Sequence, residues 1–143
     1  MSFDLKIQNG DLVISSNGDL RKVENIDKLI QDVLKILMTP LGTNLFFTWY
    51  GSLLPTSAVG SSMDHQFIST VVEQQIRSCL ENLQNLQQQQ QISNQAVSAE
   101  ELLAAIKNVV VKRSITDPTF FSIFVKIVNK AYQITTATLN ISL

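Results

Sequence analysis

His65, Cys79 and twelve carboxylates are the residues of this chain whose types could do chemistry. His65 is the single histidine, and no second imidazole or cysteine cluster accompanies it to complete a zinc set. A thiol–imidazole pair would need Cys79 and His65 in contact. The two stand on one predicted helix, about 21 Å apart along its axis, so a continuous helix keeps them separate. Cys79 falls on the apolar stripe of that helix and is expected in the core. Glycoside hydrolysis needs two carboxylates across a substrate cleft. The acids here fall in turns, at helix starts or on polar helix faces, where each has a local explanation. The five glycines are scattered turn residues rather than a phosphate-cradling loop. The sequence therefore predicts no catalytic residue, no cofactor and no metal site.

Composition points to packed protein partners instead. The chain has 143 residues, enough for the one domain expected over 1–143. Its hydrophobic share is 45%, charged residues make up only 16%, and the net charge is −1. Nucleic-acid binding would need clustered Lys and Arg, and a weakly charged surface offers no such footprint. The first residues lack the basic start and apolar stretch of a signal peptide. No apolar run approaches the roughly 18 residues that cross a bilayer. One cysteine makes no intramolecular disulfide and suits a reducing compartment. The expectation is a soluble protein, made in the cytoplasm, with no membrane partner.

The positioning elements predict an α+β fold. Over 3–24, Phe3, Leu5 and Ile7 alternate with polar residues, and Asn-Gly-Asp-Leu occurs at 9–12 and again at 17–20. Asn-Gly suits tight hairpins, so a small N-terminal hairpin meander is expected. A helix follows, with Asn25 as N-cap and Asp27 in its first turn. Ile26, Leu29, Ile30, Val33, Leu34 and Leu37 would form its buried face, with Lys28, Gln31, Asp32 and Lys35 opposite, up to Pro40 and Gly42. A second helix, capped by Ser62 or Asp64, carries Phe67, Ile68, Val71, Val72, Ile76, Cys79, Leu80, Leu83 and Leu86. It runs into the tract Gln87–Gln91, readable as a solvated helix end or as a linker. Ser98 and Glu101 have capping-box spacing ahead of Leu102, Leu103 and Ile106, predicting a short helix. Strands then follow to form a small C-terminal antiparallel sheet: Val109–Val111 with Ile115, a turn at Asp117-Pro118, Phe121–Val128, and Thr136 to Leu143.

Two segments are candidate partner surfaces. TNLFFTWYGS, residues 43–52, reads as a short aromatic strand whose rings would point to both sides. Of Phe46, Phe47, Trp49 and Tyr50 one pair can enter the core, and the other either finds burial within the domain or meets a partner; Phe47, Trp49 and Tyr50 are the candidate partner-binding residues. In the last strand Ala137, Leu139 and Ile141 alternate with Thr136, Thr138, Asn140 and Ser142. Its regular pattern lacks charge, proline and bulge signals, which suits an open edge able to accept an added strand. The competing reading puts this strand inside the sheet.

Residues 26–54 carry a further pattern. Gln31, Val33, Ile36, Leu37 and Thr39, then Pro40 and Gly42, then Tyr50, Gly51 and Ser52, follow the order of a motif in the baseplate wedge proteins of contractile-tail phages. The chain resembles this tail-sheath initiator family. It departs from it at Thr48, where relatives have proline, and it lacks the relatives' Glu-Pro-Arg triplet before the strands, carrying the glutamine tract instead. The resemblance implies a non-catalytic scaffold of the virion tail baseplate, present in multiple copies in a ring and assembled in the host cytoplasm. Its implied partners are other wedge proteins and the tail sheath protein, with a sheath strand adding to its sheet. Members of that family have also been called lysozymes, an activity the acids here do not support. The alternatives are a small α+β interaction adaptor unrelated to phage tails and, third, an enzyme.

Overall fold

The computed structural model describes residues 3–8, 11–52, 65–93, 97–117 and 120–142, with the side chains of 65–68 and 142 left aside. The expected caps Ser62 and Asp64 therefore lie outside what is described, as do the side chains of His65, Phe67, Ile68 and Ser142. The architecture is α+β: small N-terminal antiparallel pairs, two helices, and a three-stranded antiparallel sheet.

The N-terminal segments form β1 (Asp4–Leu5), β2 (Ile7–Gln8), β3 (Asp11–Leu12) and β4 (Lys22–Val23), with β1 paired to β4 and β2 to β3. Bonds from Lys6 N to Arg21 O (2.8 Å) and from Arg21 N to Val13 O (2.8 Å) tie all three stretches together. Gly18 turns the second hairpin at φ +87°, in the left-handed region that glycine enters without steric cost.

Helix α1 (Asn25–Met38) buries Leu29, Val33, Ile36 and Leu37 completely. Three expectations need correction. Asn25 is not the N-cap: Glu24 holds that position without a side-chain cap, and Asn25 sits inside the helix at φ +56°. Gln31, expected on the polar face, is buried. Its amide accepts from Ile7 N (2.9 Å) and donates to Leu5 O (2.7 Å), substituting for a strand partner against the N-terminal hairpin. Leu34 is only half-buried and lies at the margin of the core.

Helix α2 (His65–Ile92) is continuous, and the glutamine tract is its C-terminal part rather than a linker. Val72, Ile76, Cys79, Leu80 and Leu83 enter the core as predicted. Gln87 is also buried, which its neighbours in the tract do not foretell.

The helix expected from Ser98 is a single 3-10 turn, Ala99–Glu101, without a Ser98 side-chain cap. Leu103 and Ile106 belong instead to β5 (Leu103–Arg113), which starts well before the predicted Val109. Ile115, expected in that strand, is fully exposed in the turn beyond it. Strands β6 (Phe120–Asn129) and β7 (Ile134–Ser142) follow, in the order β5-β6-β7. One sheet face, carrying Phe121, Ile123, Val125, Ile127, Ala137, Leu139 and Ile141, packs on both helices. The other face carries Phe124, Thr136, Thr138 and Asn140 toward solvent.

Candidate functional site: a strand edge and an aromatic loop

Cys79, Asp4 and Asp32 are engaged structurally. Cys79 is buried, its S–H directed at the carbonyls of Gly51 (3.2 Å) and Ile36 (3.5 Å). Burial pushes its thiol up to about 12, far from the thiolate that reacts. Asp4 pairs with Lys35 and accepts from Gln31 Nε2 (3.1 Å). Partial burial would raise its carboxyl, but Lys35 and the surrounding donors outweigh this and hold it below its ordinary value. Asp32 bridges to Lys28 at 3.1 Å and to Lys35 at 3.6 Å. Among the described residues no three His, Cys, Asp or Glu side chains come together as a metal set, and no helix is long and apolar enough to cross a membrane.

Among the described residues β7 pairs with β6 alone, which places it at an edge of the three-stranded sheet rather than inside it. The hairpin fixes which groups the edge offers. Asn129 N donates to Gln133 O at 3.0 Å, so these two form a hydrogen-bonded pair. Such pairs alternate along an antiparallel ladder. With Ile127 opposite Thr135 and Val125 opposite Ala137, the N–H and C=O groups of Thr136, Thr138 and Asn140 point away from β6. Their side chains are exposed. Ser142 stands at the same parity, opposite Phe120. The register from Phe120–Ser142 to Val128–Ile134 has no bulge.

The opposite edge of the sheet, β5, is blunted. Its register shifts between Leu103 and Ala105 and again between Ile106 and Asn108, and it carries Lys107, Lys112 and Arg113. Bulges and charges are the usual protection of an edge. Side chains of α2 also occupy its beginning. Gln87 Oε1 accepts from Leu103 N (2.8 Å), Gln87 Nε2 donates to Glu101 O (3.0 Å), and Gln84 Nε2 donates to Ala104 O (2.9 Å).

The predicted aromatic strand is absent. Residues 41–50 form turns, joined to the rest by a single parallel bridge between Pro40 and Ser52. The cause is local. Asn44 Oδ1 accepts from Phe46 N (3.0 Å) and Phe47 N (3.1 Å), while Gly42 and Gly51 adopt φ +86° and +118°. The loop is latched at its base by Ser52 N to Thr39 O (2.9 Å), Leu41 N to Ser52 O (3.0 Å), and the Ser52 hydroxyl on Leu37 O.

This loop gathers Phe47, Trp49 and Tyr50, with ring centroids 5.6 Å and 6.4 Å apart in sequence. Tyr50 packs against the core, and burial raises its hydroxyl above the ordinary value. Phe47 and Trp49 are partly exposed, at 47% and 40%. Leu45 and Phe46, outside the predicted partner-binding residues, stand out most within the loop: each is 90% exposed. The two groups of predicted site residues are thus a loop cluster and a strand edge, and no described hydrogen bond or ring contact joins them. No family model matches the chain, and no curated protein matches it.

Proposed function

We propose that this chain is a non-enzymatic assembly scaffold of a contractile phage tail baseplate, which joins wedge neighbours and receives a strand of the first sheath subunit along β7. The observation that carries the reading is the contrast between the two sheet edges. One is bulged, charged and occupied by glutamine side chains; the other is nine residues long, unbulged and uncharged. An open edge of this kind threatens aggregation unless a partner covers it, and added strands bind through main-chain groups. The motif order over residues 26–54 supplies the baseplate context, and the sheet edge supplies the mode of binding.

The test is Thr138→Pro. Its N–H points outward, so proline removes no bond to β6 and puts its ring on the open edge, where proline is tolerated. The variant should fold and fail to nucleate sheath subunits. Ala137→Pro, which breaks the ladder opposite Val125, serves as the unfolding control. Normal nucleation by folded Thr138→Pro would defeat strand addition at β7. Reproducible cell-wall hydrolysis by the pure protein would defeat the non-enzymatic reading.

A further inference from the structure

The loop tip has a counterpart elsewhere on the same molecule. A groove of about 580 Å³ lies between the N-terminal hairpin and α1. Its apolar lining is Ile7, Val23, Ile30, Leu34 and Met38, and its charges are those of Lys6, Asp27 and Lys35. Ile7 and Met38 are each more than two-fifths exposed. This is the side of α1 where Leu34 lies half-buried at the margin of the core. We propose that a second copy of this chain docks here, with Leu45 and Phe46 of each copy entering the groove of the other.

Three observations carry this inference. First, polarity is compatible: no charged residue stands between Lys35 and Asp64, so the loop sets no like charge against Lys6, Asp27 or Lys35 and offers only apolar side chains to Ile7, Val23, Ile30, Leu34 and Met38. Lys35 is already engaged by Asp4 and Asp32. Second, the loop is built to present its tip. The Asn44 turn and the Ser52 latch hold Leu45 and Phe46 outward, so docking orders little chain and costs little conformational entropy. Third, the area suffices. The exposed apolar surface of Met38, Leu41, Leu45, Phe46, Phe47 and Trp49 together with Ile7 is on the order of 700 Å² per copy, close to the roughly 800 Å² per partner of a standard interface.

Met38, the last residue of α1, lines the groove, and the loop begins immediately after it. Reciprocal insertion of the two tips makes the proposed contact isologous, with a two-fold axis between the copies. Such an interface is closed and stops at two chains. It uses neither β7 edge, so it stands or falls apart from the strand-addition reading.

Sedimentation equilibrium of the full chain over a wide concentration range tests the inference. A reversible dimer without larger species is expected. Phe46→Asp on the tip and Met38→Asp on the groove change exposed side chains, so both variants should fold, as circular dichroism will verify. Each should raise the dimer dissociation constant roughly thirty-fold or more, the effect of losing a buried apolar anchor. Thr138→Pro should leave the dimer unchanged. A chain that is monomeric throughout overturns the proposal. So does a dimer indifferent to Phe46→Asp, or one broken by Thr138→Pro alone, which would place the contact at the strand edge. A monomer that binds neutral phosphatidylcholine vesicles through Phe46 overturns it in favour of a lipid surface.

Discussion

Replacing Gln87 by methionine should cost far more than the same change one residue later. Gln87 is 5% exposed, and its amide meets the backbone on both sides of Leu102, at Leu103 N and Glu101 O. Methionine has similar length and helix propensity, so α2 and its packing are nearly preserved. What is lost is the pair of hydrogen bonds. Stranding a buried polar group costs about 1–3 kcal/mol, and two are affected. The added apolar character of methionine offsets about 1 kcal/mol. The net expectation is about 1–5 kcal/mol, with the middle of that range worth about 10 °C in melting temperature for a domain of this size. Gln88 is exposed, so Gln88→Met should change stability by less than about 0.5 kcal/mol. Urea denaturation of both variants, at equal slope, measures the difference. Amide exchange adds a local readout: the Leu103 N–H should lose its protection in Gln87→Met. If the two variants melt alike, or if Leu103 keeps its protection, the amide is not what anchors the start of β5.

Two further outcomes follow from the first helix and its loop. In Gly51→Ala the new methyl would lie 2.5 Å from the Thr39 carbonyl oxygen at a φ of +118°, so the latch must open at a cost of about 2–4 kcal/mol. The fluorescence of Trp49, the only tryptophan, should report it, and an unchanged spectrum with unchanged stability would refute the latch. Asp4→Asn should lower stability at neutral pH by about 0.5–1 kcal/mol, the range of a partly exposed ion pair. The folded carboxyl titrates below 3.8, so its contribution is complete above that pH and fades as pH falls through the folded value. The Lys35 ammonium is raised above 10.5, burial notwithstanding, by Asp4 and Asp32, so its share persists below that pH and fades at higher pH. Melting both proteins from pH 2 to 7 should show the difference vanish in acid; a constant difference would remove Asp4 ionisation as its source.

Legibility followed the local period. The alternation of β6 and β7 and the apolar stripes of α1 and α2 were readable because each side chain there obeys the geometry of its own element. Strand β5 was not. Its two bulges space the core-facing residues Leu103, Ile106, Val109 and Val111 unevenly, so period two is lost and the first steps mimic a helix. The capping-box pair Ser98 and Glu101 deepened the misreading, since one 3-10 turn carries the same local signal. The aromatic run 46–50 has strand propensity but no neighbour to pair with, and propensity for strands depends on that context. Gln31 and Gln87 were invisible by type. Their roles arise from backbone groups far away in sequence, at Leu5, Ile7, Glu101 and Leu103. The candidate site is half legible: the pattern of β7 suits an edge and the aromatic run announces Phe46, whereas the outward setting of Leu45 and Phe46 depends on the fold of their loop.

The packing of α1 on β7 has a consequence for biosynthesis. The sheet itself joins consecutive hairpins, β5 to β6 to β7, so its contacts close over short stretches of chain. The apolar face of α1, by contrast, is covered partly by Ala137, Leu139 and Ile141, about a hundred residues later. At translation rates of about 5–20 residues per second, that helix waits for about 5–20 s before its cover exists. During that interval α2 can cover only part of the stripe of Leu29, Val33, Ile36 and Leu37, and the part that β7 will meet is available to whatever chaperone or neighbouring chain reaches it first.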